Sequence, residues 1–80
     1  MRVAKMAIVR KLKLQELEIE SQHSETECTY TILKTPDGTY LQVDTYGSRH
    51  RRIPGKKSQS IRFAPEAVQQ LKAILAKHFA

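Results

Sequence analysis

A single cysteine, Cys28, rules out an intrachain disulfide in this 80-residue chain. His23, His50 and His78 are widely spaced and have no second cysteine to join. A Cys/His metal cage is therefore not expected, and no cofactor is called for. Glycine is as scarce: Gly47 and Gly55 have the wrong spacing and context for a phosphate-cradling loop. No window approaches the roughly 18 apolar residues that cross a bilayer. Arg2 and Lys5 break the apolar positions of Met1 to Val9, and no small-residue cleavage site follows, so no targeting segment is read. These absences predict a soluble protein of a reducing compartment, cytoplasmic in a bacterial or phage setting and nuclear in a eukaryotic one.

Negative charge is also in short supply, and it is segregated. Eight acids face 14 lysines and arginines, for a formal charge of +6. Five of the eight lie between Glu16 and Glu27, and none occurs between Asp44 and Glu66. Into that acid-free stretch fall Arg49, His50, Arg51, Arg52, Lys56 and Lys57, around the Pro54-Gly55 pair. Positive charge gathered in one place on a small chain points to a polyanion partner, with the acidic end orienting it. The plainer alternative is that surplus Lys and Arg keep a small domain soluble.

Eighty residues allow one domain, 1–80, with residues 1–10 expected to carry little order. A chain this short removes only about 60 to 65% of its unfolded surface from water, so without a disulfide or a metal it is expected to self-associate as a homodimer.

Glu27 to Lys34 and Thr39 to Tyr46 alternate as strands, and Thr35-Pro36-Asp37-Gly38 joins them into an antiparallel hairpin. Gln59 to Phe63 reads as a further strand, with Ile61 and Phe63 inward and Ser60 and Arg62 outward. Lys11 to Glu20 reads as a fourth, its apolar positions changing parity between Leu14 and Leu17. Pro65 and Glu66 open a helix carrying Val68, Leu71, Ile74, Leu75 and Phe79 as one apolar stripe. The stripe is expected to pack on the sheet, with any excess packing on a second copy. The fold class is α+β: a curved antiparallel sheet of about four strands, then one C-terminal helix.

On the outward face of the hairpin stand Tyr40, Gln42 and Tyr46, with Lys34 nearby. Rings interleaved with cations on a sheet suit unpaired nucleic acid, since bases stack on rings while the backbone follows charge. The expected contacts are Lys34, Tyr40, Gln42, Tyr46, Arg49, His50, Arg51, Arg52, Lys56, Lys57, Gln59 and Arg62, with Leu71, Ile74, Leu75 and Phe79 at the dimer interface. Two other readings stand beside this one. The acidic segment Glu16 to Glu27 or a sheet edge would serve a protein partner. His50 among arginines would serve a small ribonuclease, although only Asp44 and Glu66 offer it a second titrating group, and only if the loop folds back.

Pro54-Gly55-Lys56-Lys57, Ser60-Ile61-Arg62-Phe63, Pro65-Glu66 and Gln70-Leu71-Lys72 resemble the C-terminal half of the positive cofactor four family. Its members are transcriptional coactivators that bind single-stranded DNA. The resemblance spans roughly the last 50 residues. It implies a homodimer whose paired sheets make grooves for unpaired DNA, joined in part by the helices, with a role in transcription or replication. Lys56 and Lys57 carry over as basic groups beside the turn.

Overall fold

The computed structural model describes residues 5–17, 19–47 and 57–80. The elements are β1 (Lys5–Val9), β2 (Cys28–Thr35), β3 (Gly38–Thr45), β4 (Gln59–Phe63) and α1 (Pro65–Phe79). The α+β class and the single C-terminal helix are as the sequence predicts.

The hairpin forms where the turn chemistry places it. Thr35 Oγ1 accepts from Asp37 N at 3.2 Å and donates to the Gly38 carbonyl at 2.9 Å, closing the Pro36-Asp37 turn locally. Gly38 has φ of 134°, a conformation that a side chain disfavours. From there β2 and β3 pair without interruption from Thr35↔Gly38 to Cys28↔Thr45.

β4 adds antiparallel to β3, and β1 adds parallel to β4, giving the order β1-β4-β3-β2. The sheet is therefore mixed, where an antiparallel one is expected from sequence. Apolar alternation does not encode strand direction, and the connection between the parallel strands β1 and β4 is the whole of residues 10–58, which includes the β2–β3 hairpin. The first strand also lies earlier than the sequence suggests. Residues 11–17 and 19–27 hold no regular secondary structure, and Lys5–Val9, within the stretch expected to carry little order, is the strand. Ala7 and Val9 present one continuous apolar row beside Ile61 and Phe63. The parity change after Leu14 denies residues 11–20 such a row.

The helix starts where β4 ends. Ala64 N donates to the Val9 carbonyl at 2.9 Å, and Val68 N returns to the Ala64 carbonyl at 2.9 Å as the first helical bond. Pro65 occupies the first turn, Glu66 lies at its positive end and pairs with Arg10 at 3.6 Å, and Lys77 and His78 lie in the last turn. Gln70 acts as a substitute strand partner for the segment after β1. Its Oε1 accepts from Leu12 N at 2.8 Å and its Nε2 donates to the Leu12 carbonyl at 3.1 Å.

Little apolar volume is enclosed. Among the described residues the buried hydrophobic ones are Ala64 and Ala67, and no large side chain is fully buried. Val68 and Leu71 are half-buried, whereas Ile74, Leu75 and Phe79 are exposed. The sheet thus covers only the first half of the stripe. The accessible surface is 7465 Å², against about 4,900 Å² for a compact monomer of this mass. The Cα radius of gyration, 14.7 Å, likewise exceeds the about 11.6 Å of a compact chain of this length. No helix among the described residues is long and apolar enough to cross a membrane.

Candidate functional site

Strand register sorts the expected contact residues between the two faces of the sheet. Gln42 stands opposite Arg62, and Asp44 opposite Ser60, so these four share a face with Tyr40. Lys34 pairs with Thr39 and Gln59 with Thr45, which sets both on the other face, away from Gln42 and Arg62. Arg49, His50, Arg51, Arg52 and Lys56 lie outside the described residues.

Asp44 anchors the polar face. It is 3% exposed, and both of its carboxylate oxygens accept from Gln42 Nε2 at 3.1 Å. Lys57 Nζ lies 3.3 Å from Oδ2. Gln42 in turn offers Oε1 to Arg62, taking Nη2 at 2.6 Å and Nε at 3.0 Å. The relay runs from a buried carboxylate through an amide to an exposed guanidinium, whose direction is fixed by two donated bonds. Among the described residues no carboxylate pairs with Arg62. Tyr46 is tied to the same face, its hydroxyl 2.8 Å from Thr29 Oγ1. Its backbone N donates to the Glu27 carbonyl at 3.3 Å, and Gly47, the next residue, has φ of 78°.

From sequence, Asp44 is expected as an acid bordering the basic stretch and a candidate partner of His50, and Ser60 as outward. The structure buries both, because the Ser60 hydroxyl satisfies the Asp44 carboxylate. The signal available in the sequence was parity: Gln42, Asp44, Ser60 and Arg62 are the polar positions of two neighbouring strands. Lys57, expected at a phosphate, has Asp44 as its partner. Metal chemistry has no cluster to start from among the described residues.

The Ser60 hydrogen bond, helped by Gln42 and Lys57 and opposed by burial, holds the Asp44 carboxyl below its ordinary value. A carboxyl lowered in the folded state stabilises the fold above its unfolded pKa, and that contribution is lost as pH falls through the folded value. Thermal melts recorded from neutral pH down to about 2 should show an acid limb that is shallower in Asp44→Asn than in the parent. Identical limbs would show that another group governs acid unfolding.

No family model, curated protein or solved structure matches this chain. The functional reading accordingly rests on the geometry of this face and on the charge that flanks it.

Proposed function

We propose that the chain is a non-enzymatic, homodimeric module that binds single-stranded nucleic acid along the Tyr40, Gln42 and Arg62 face of its sheet. The observation that carries the reading is Arg62: an exposed guanidinium held by Gln42, without a carboxylate partner among the described residues, on the polar face of the sheet. Gly47 leads from that face into the acid-free run of Arg49, Arg51, Arg52 and Lys56. Cations meet phosphates, while Tyr40 and Tyr46 offer rings to bases, each stacked base contributing about 1 to 3 kcal/mol. Such a face fits a transcription or replication accessory factor, as the resemblance to positive cofactor four implies. Lys34 and Gln59, on the opposite face, are not assigned to this site.

Exposed apolar surface supports the homodimer from a separate direction. The uncovered Ile74, Leu75 and Phe79 form an apolar surface of the kind that a second copy covers. Pairing of two helix stripes would cover them.

The test is a titration of single-stranded against duplex oligonucleotides at two ionic strengths. If Arg62 and the four cations of residues 48–56 engage, single-strand affinity falls about a hundredfold between roughly 50 and 200 mM salt. Arg62→Ala should weaken all sequences alike and reduce the salt slope by about one contact. Affinity that ignores salt would overturn the electrostatic basis of the reading.

A second reading draws on a different observation. Leu14, Leu17 and Ile19 are exposed, Leu14 at 97%, beside the acids of residues 16–27. Apolar side chains interleaved with acids suit a basic protein partner. It predicts a defined protein complex and no retention of oligonucleotides at low salt.

A further inference from the structure

β2 is an edge strand eight residues long, and its outer side pairs with no strand among the described residues. The Glu27 carbonyl accepts from Tyr46 N, so the backbone groups of odd-numbered residues in this strand face β3. Those of Cys28, Tyr30, Ile32 and Lys34 therefore point outward. The strand has none of the usual features that keep an edge apart: its interior holds no proline, its pairing with β3 has no bulge, and its one charge, Lys34, stands near one end. Tyr30 and Ile32 are 74% and 52% exposed on the same face.

We infer that β2 joins β2 of a second copy in antiparallel register about a twofold axis through Thr31, making one continuous eight-stranded sheet. The register follows from symmetry. A twofold axis perpendicular to the sheet keeps each face on its own side, so opposed residues must have the same parity. Hydrogen-bonded pairs must also unite two outward-facing residues. Centring on Thr31 alone engages all four outward residues, Cys28 with Lys34 and Tyr30 with Ile32, each twice, for about eight backbone bonds. It also sets the two most exposed large side chains of the strand against each other as an aromatic and β-branched pair, a favoured cross-strand combination. The two Lys34 ammonium groups fall at opposite ends of the seam, where they do not repel. A generic extended peptide would satisfy the same backbone groups, but it would not supply the Tyr30 and Ile32 match. The contact lies on a different surface from the helix stripe and is independent of nucleic-acid binding. Two distinct twofold contacts on one chain give either closed assemblies of even copy number or open chains.

Thr31 is exposed and opposes itself across the axis, where a non-hydrogen-bonded pair brings Cα atoms to about 4.5 Å, within disulfide reach. The test is mild oxidation of the full chain carrying Cys28→Ser and Thr31→Cys, without nucleic acid. A covalent dimer should form quickly, whereas Cys28→Ser with Thr29→Cys should not form one, because Thr29 opposes Leu33. Equal crosslinking of the two variants, or none in either, overturns the register. A second measurement does not depend on cysteine. Thr31→Lys and Thr31→Glu should each lower the assembly size seen by sedimentation, and their equimolar mixture should restore it. A mixture no larger than either variant alone also overturns the proposal.

Discussion

Leu75→Lys with Phe79→Lys is expected to lose its cooperative thermal transition at micromolar concentration. Among the described residues the single chain buries only Ala64 and Ala67 of its hydrophobic side chains, so it has little of the apolar burial that offsets chain entropy. Burying one large side chain contributes about 1.5 to 3 kcal/mol, and a dimer through the stripe covers Ile74, Leu75 and Phe79 in both copies. Placing ammonium groups there removes that contribution and sets like charges together. If dimerisation and folding are coupled as proposed, the parent melting temperature should rise with protein concentration. A doubly substituted chain that melts like the parent, at a temperature independent of concentration, would show that the monomer is self-sufficient. This effect is large because the dimer in this reading supplies what the core lacks.

Gly38→Ala is expected to be the most damaging small substitution in the sheet. An added Cβ would lie 2.7 Å from Pro65 Cγ and 3.2 Å from Pro65 Cβ, and φ of 134° is strained for any side chain. Such backbone strain costs about 1 to 3 kcal/mol, with the contact adding to it. In a small domain that is a large share of the total stability. Urea melts would give the size of the loss. Pro65→Ala in the same background removes the nearer of the two contacts but leaves φ unchanged, so it should recover part of the loss and not all of it. Full recovery would place the whole penalty on the contact with Pro65, and no recovery would place it on the backbone.

Gly38 also shows how far the sequence carries. Its place after Pro36-Asp37 marks a turn and a backbone conformation open to glycine, both local matters. That Pro65, 27 residues further along, packs onto the vacant Cβ position is not local, and nothing in the sequence indicates it. Asp44 follows the same division. Its parity with Gln42 was readable, as was its nearness to the basic segment. Its burial against Ser60 and its ion pair with Lys57 needed the β3 to β4 register. β1 was missed because five residues of mixed character carry no directional signal, and their pairing depends on the free edge of β4.

The sequence alone determined the hairpin, the β4 strand, the start of the helix and the separation of acidic from basic charge. Each of these is set by residues within a few positions of one another, through turn conformation, alternation and side-chain chemistry. Tertiary structure decided the parallel seat of β1, the division of Lys34 and Gln59 from Gln42 and Arg62, and the relay from Asp44 to Arg62. It also decided how much of the apolar stripe stays uncovered. Those outcomes depend on which strands become neighbours and in what register, and the energy that selects a neighbour comes from contacts between residues far apart in the chain.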